Sequence, residues 1–95
     1  MSDDYLGGDL FRLARRAGLD TDDERVVELL VKQRIGPLEV SELAAVNRGA
    51  IYAAATHGSL EHERTQHGRQ ITWRFDPARV LEWMIARDEQ MSRSR

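Results

Sequence analysis

The chain has 95 residues, 41% of them hydrophobic and 32% charged, which suits one globular domain with a modest core. Its 14 Lys and Arg against 16 Asp and Glu leave a net charge of -2, and the absence of Cys excludes disulfides and thiolate metal sites. No apolar run is long enough to span a bilayer and no basic-then-apolar leader opens the chain, so a cytoplasmic protein with no membrane partner is expected.

Residues 1–8 read as a mobile polar terminus, with Gly7 and Gly8 discouraging helix. Leu6, Leu10, Leu13, Ala14 and Ala17 recur at helical spacing and predict a short helix from Asp9 to Ala17, closed by Gly18. Thr21-Asp22-Asp23-Glu24 reads as a capping box, with the Thr21 hydroxyl accepting the Glu24 amide and the Glu24 carboxylate returning to the Thr21 amide. That geometry accounts for the acid run without catalytic chemistry. Val26, Val27, Leu29, Leu30 and Val31 give the second helix a broad buried face, and Gly36-Pro37 stops it.

Leu38-Glu39-Val40 reads as a short extended link. Ser41 is placed to cap a third helix running through Ala45, with Leu43 and Val46 toward the core. Asn47 caps a fourth, with Ile51 and Ala54 or Ala55 inward and Gly58 ending it. Ser59 to Phe75 predicts a hairpin turning at His67-Gly68. Its second strand alternates Ile71, Trp73 and Phe75 with Thr72 and Arg74, so one face is expected to pack on the domain. Asp76-Pro77 opens the last helix, followed by Val80, Leu81, Trp83, Met84 and Ile85. Residues 92–95 are expected to fray, leaving a single domain over 9–91. The fold class is therefore mainly α with a small β-hairpin wing: a winged helix-turn-helix with an extra N-terminal helix. That architecture sets a helix and a hairpin side by side for adjacent grooves of duplex DNA.

The net charge argues against nucleic acid, because such domains are usually basic. The distribution argues the other way. Acids crowd the N-terminal half, among them Asp20, Asp22, Asp23, Glu24 and Glu28. Asn47 to Gly58 holds none, and from Ser59 to Phe75 Arg64, Arg69 and Arg74 outweigh Glu61 and Glu63.

Glu42-Leu43-Ala44-Ala45-Val46, then Asn47-Arg48-Gly49-Ala50-Ile51-Tyr52, the Gly58-Ser59-Leu60 exit, the Arg74-Phe75 strand and Leu81-Glu82-Trp83-Met84 stand in one order. That ordered set resembles the excisionase-like and MerR-type winged-helix family, over the stretch from Glu39 to Met84 and with a somewhat longer wing. Glu24 to Phe75, with a long helix before the helix-turn-helix and Arg69 to Phe75 as the outgoing strand, is also similar to ArsR-type repressors. In those the recognition helix is about a turn longer. Both resemblances imply duplex DNA as partner, with a recognition helix, about 47–57, in the major groove. They imply a wing, about 60–75, on the adjacent backbone or minor groove. The ArsR likeness implies a dimer through terminal helices; the excisionase likeness allows a monomer that assembles along DNA. Where the family often carries Thr and Arg, this chain has Ala50 and Ala53. Alanine touches a thymine methyl but cannot read a base edge bidentately. Readout then falls to Asn47, Arg48, the wing, or DNA shape.

The candidate DNA contacts are Asn47, Arg48, Ala50, Tyr52 and His57 on the helix and Arg64, His67, Arg69 and Arg74 on the wing. Tyr52 reads equally well as a core residue. His57, His62 and His67 recur every five residues, which does not align them on one helical face, so no metal site is expected. Trp73, Phe75 and Trp83 read as core aromatics. No nucleophile–base pair stands out, and neither an enzyme nor a cofactor is expected. A competing reading is a winged helix used for protein assembly, with the alanine-rich helix as a packing surface. The apolar stripes of the first and last helices leave two readings open: they close the core of one subunit, or they exceed what a monomer of this size needs to cover and meet across a two-fold in a homodimer.

Overall fold

The structure, a computed structural model, describes residues 8–93. Its elements are α1 (Gly8–Arg16), α2 (Glu24–Leu30), α3 (Pro37–Ala44), α4 (Arg48–Thr56), β1 (Glu63–His67), β2 (Gln70–Arg74) and α5 (Pro77–Arg93). This is the helix-rich order with a two-stranded wing that the sequence predicts. Residues 1–7 of the terminus expected to be mobile and 94–95 of the tail expected to fray lie outside the described residues. At the edges, α1 takes in Gly8 and α5 continues past Met91 to Arg93.

Helix α1 buries Leu13 and Ala14 and ends where Gly18 adopts φ +87°, with the Leu19 amide reaching back to the Ala14 carbonyl. That six-to-one bond is the Schellman ending for which a glycine is preferred. The start of α2 departs from the expected capping box. Asp20 Oδ1 accepts the Asp22 amide, and Asp23 is the N-cap, its carboxylate accepting the Arg25 amide, both at 2.9 Å. Thr21 stays outside the helix, where Arg15 Nη1 approaches its hydroxyl at 3.4 Å. Two aspartates bonding amides two residues ahead form a tighter local motif than the longer Thr–Glu box. Because α2 stops at Leu30, Val31 becomes its C-cap and is 66% exposed rather than buried.

The third helix also starts earlier than expected. Leu38-Glu39-Val40 is its first turn, not an extended link, because Pro37 at the first helical position supplies the right φ and needs no partner for a missing N–H. Glu39 Oε1 accepts the Gly36 amide at 2.9 Å, the return half of a capping box; Gly36 has no side chain to complete it. Ser41 is therefore interior to α3. Its hydroxyl donates to the Val46 carbonyl and ties the helix to the turn that follows.

The core gathers Leu29 and Leu30 of α2, Val40 and Leu43 of α3, Ile51 and Ala55 of α4, Leu60, Phe75, and Val80 and Leu81 of α5. Ile35, between α2 and α3, has no exposed surface and exchanges two backbone hydrogen bonds with Phe75, each 2.8 Å. This one-residue bridge fastens the base of the wing to the helical body. Helix α5 opens on an Asp76 carboxylate that takes the Ala78 amide at 3.0 Å. Its inner face meets α1, α2 and α3. Among the described residues, no helix is long and apolar enough to cross a membrane.

Candidate nucleic-acid interface

The turn between α3 and α4 is made by Ala45, at φ 56° and ψ 40°, followed by Val46 and then Asn47 in extended backbone. Asn47 is the N-cap of α4, as expected, its side-chain oxygen accepting the Ala50 amide at 2.9 Å. A Cβ at Gly49 would stand 3.2 Å from that oxygen, so the cap leaves little room at the first turn. Ile51 and Ala55 are buried, and Ala50 and Ala54 are half-buried. Arg48, Tyr52, Ala53, Thr56 and His57 face outward. Asn47 and Arg48 thus stand at the exposed start of the helix, while Ala50 lies toward its inner side.

The wing pairs Glu63 with Arg74, Arg64 with Trp73, Thr65 with Thr72, Gln66 with Ile71 and His67 with Gln70. Its turn is Gly68-Arg69, one residue beyond the expected His67-Gly68, with Gly68 at φ +61°. A two-residue hairpin loop needs positive φ at its first position, which glycine meets without strain. His67 is consequently a strand residue and Arg69 sits on the tip. The expected apolar face fades outward. Phe75 is fully buried, Trp73 half-buried, and Ile71 is 40% exposed, because only the base of the hairpin reaches the core.

Helix and wing meet at Trp73. The Tyr52 ring packs edge-on against it at 5.3 Å, and His62 lies against it at 5.1 Å with an interplanar angle of 30°. The Arg64 guanidinium lies over the same ring, 5.6 Å from its centre. Tyr52 is therefore both a packing residue and a surface residue at 36% exposure. Trp73 was legible as an aromatic anchor, but its role in joining α4 to β1 was not. His62 was visible only as one of three evenly spaced histidines; here its Nδ1 lies 3.1 Å from the Leu60 carbonyl, beneath Trp73 and Phe75. His57 and His67 are exposed elsewhere, and no metal-holding cluster occurs among the described residues.

The ion pairs resolve the charge problem posed by the composition. Arg25 bonds Glu42 at 2.7 and 2.9 Å and also Glu28; Lys32 bonds Glu39 at 2.6 Å. Arg34 holds Glu63, and Arg79 holds Glu82 at 2.7 Å and Glu61 at 3.3 Å. Both acids of the hairpin are thus turned toward cations of the body. Among the described residues, Arg48, Arg64, Arg69 and Arg74 have no carboxylate partner. Arg74 Nη1 donates only to the Trp73 carbonyl at 3.1 Å. The pairing also perturbs the acids. The Gly36 amide, then Lys32, holds the Glu39 carboxyl below its ordinary value, and the Arg25 guanidinium does the same to Glu42. Glu39 and Glu42 are accordingly held ionised and matched, while Arg48 on α4 and Arg64, Arg69 and Arg74 on the wing have no carboxylate partner among the described residues.

No known family, curated protein or solved structure matches the chain. The excisionase-like and ArsR-type resemblances rest on the order of residues alone. Helices α1 and α5, whose stripes suggested contact across a two-fold, pack against each other within one chain. Leu13, Ala14, Val80 and Leu81 are spent in that core, which leaves Met91, 63% exposed, as the large apolar residue at the far end of α5.

Proposed function

We propose that this chain is a small duplex-DNA-binding protein, a transcription regulator or an architectural factor of excisionase type. The observation that carries the reading is the set of guanidiniums without a carboxylate partner among the described residues, Arg48 on α4 and Arg64, Arg69 and Arg74 on the wing, while Arg25, Lys32, Arg34 and Arg79 of the body hold acids. In this reading Asn47 and Arg48 lead α4 into the major groove, with Tyr52 and His57 further along its outer face. The arginines and His67 of the wing follow the adjacent backbone or minor groove. Ala50 and Ala53 supply at most methyl contacts, so sequence discrimination is shallow or comes from DNA shape. With four unpaired cations and a slope of about −0.9 per neutralised phosphate, log K against log salt should fall with a slope of roughly −3 to −4.

A salt-titrated anisotropy curve on random duplex DNA tests this directly. Binding that strengthens as salt is lowered, with that slope, supports it; no binding at low salt removes it. The second reading, a winged helix that packs on another protein, draws on the exposed Ala53 beside Tyr52, the exposed Ile71 and the net charge of -2. It predicts a salt-insensitive partner and no DNA binding. Two copies joined at the exposed end of α5 would present two DNA faces. Sedimentation velocity at tens of micromolar tests that assembly, and a single monomer peak removes the dimer from the proposal.

A further inference from the structure

A groove of about 400 Å³ lies away from the wing, between the end of α1, the turn between α3 and α4, and α5. Its lining is mixed, with Val46 from the turn and Trp83 and Met84 from α5 supplying apolar surface. Its rim is charged. Arg16 and Arg87 stand there with one acid, Asp88. Arg16 has no carboxylate partner among the described residues, and the Arg87 guanidinium lies over the Trp83 ring at 5.5 Å. Two guanidiniums and one carboxylate beside the apolar side chains of Val46, Trp83 and Met84 complement a molecule with an apolar body and one anionic head. The volume falls in the range of small-molecule sites.

We propose that this groove binds a small organic anion, an alkyl or aromatic carboxylate. Its apolar part rests on Val46, Trp83 and Met84. Its carboxylate meets Arg16 and Arg87, since guanidiniums bind carboxylates through short charge-assisted hydrogen bonds. The groove borders Ala44 and Val46, which flank the left-handed Ala45 that sets the angle between α3 and α4. An occupant therefore touches the turn that orients α4. The binding itself does not depend on the DNA-binding reading, and its test uses no DNA.

The two tryptophans give the test an internal control. In a nitrogen-15-labelled full chain, each indole N–H is one signal, Trp83 in the groove and Trp73 at the wing. Sodium octanoate, below its micellar concentration, should shift the Trp83 signal saturably and leave Trp73 in place. Octan-1-ol, which has the same chain without the charge, should bind about tenfold more weakly, as should the Arg16→Gln/Arg87→Gln double variant. The unliganded double variant should keep the parent's Trp73 signal and thermal midpoint, while its Trp83 signal starts from a new position because the Arg87 guanidinium no longer lies over that ring. Shifts that do not saturate, shifts of both indoles together, or equal binding of octanoate and octan-1-ol would each overturn the proposal. Retained octanoate affinity in the double variant would overturn the assignment of the arginines, and with it the anionic ligand.

Discussion

Arg48 owes its position to the residue before it. The Asn47 side chain caps α4 through the Ala50 amide, which places Arg48 at the first helical position, exposed and without a carboxylate partner among the described residues. Arg48→Ala should weaken binding to a cognate duplex by about 1–3 kcal/mol and leave the thermal midpoint unchanged. Anisotropy titration checks the first and a melting curve the second; an unchanged dissociation constant takes Arg48 out of the interface. Asn47→Ala should differ, costing about 1 kcal/mol of stability through the lost cap. Glu39 shows the same economy on the opposite side of the turn. Its carboxyl is held below the ordinary value by the Gly36 amide and Lys32. A depressed folded value means that the stabilisation is present above the unfolded value, about 4.3, and is lost as pH falls through the folded one. Glu39→Gln keeps an acceptor for the Gly36 amide but not the charge. Its urea midpoint should lie below the parent's at pH 7 and converge with it as pH falls through the lowered folded value. A gap that does not change with pH would show that charge plays no part there.

At the scale of elements, α4 and the wing form one unit because Trp73 touches both Tyr52 and Arg64. The tip arginine, Arg69, is held by a turn that only its neighbour Gly68, at φ +61°, makes easy. Arg69 is presented by the turn and Arg64 by its place over the Trp73 ring, and neither side chain supplies a strand pairing, so removing both side chains should leave the hairpin register intact. Arg64→Ala with Arg69→Ala should weaken cognate and random duplexes by similar factors. The log–log salt slope should fall by about one per lost phosphate contact. Loss confined to the cognate duplex, with the slope unchanged, would mean that the wing reads bases and that the helix supplies the general affinity.

At the scale of the molecule, the base of the wing is bonded to the core at Phe75. Ile35 and Phe75 are both fully buried and bonded to each other through their backbones. Phe75→Ala removes the largest fully buried side chain and should cost about 3–5 kcal/mol, a large share of the 5–15 kcal/mol typical of a domain. Ile71, on the same strand face but 40% exposed, should tolerate Ala within about 0.5 kcal/mol. Urea unfolding of the two variants measures the gradient along the strand. Equal costs would mean that the wing packs on the body over its whole length.

What the sequence determined by itself were the features governed by local chemistry and period. Asn47 is a cap because its short amide reaches the Ala50 amide, and Gly18 and Gly58 end helices because positive φ suits them. The three-to-four spacing of α1 and the two-residue alternation of β2 follow from the geometry of helix and strand. The same local rules misplaced the starts of α2 and α3, where Asp23 and Pro37 offered a cap and a first turn that competed with Thr21 and Ser41. Tertiary structure alone decided the rest. It turned Glu61 and Glu63 to Arg79 and Arg34, so that neither acid pairs with an arginine of the wing. It joined α1 to α5, buried Ile35 against Phe75 and brought Tyr52, His62 and Arg64 to Trp73. These contacts link residues far apart in the chain, and neither period nor propensity carries information about which distant partner a side chain will meet.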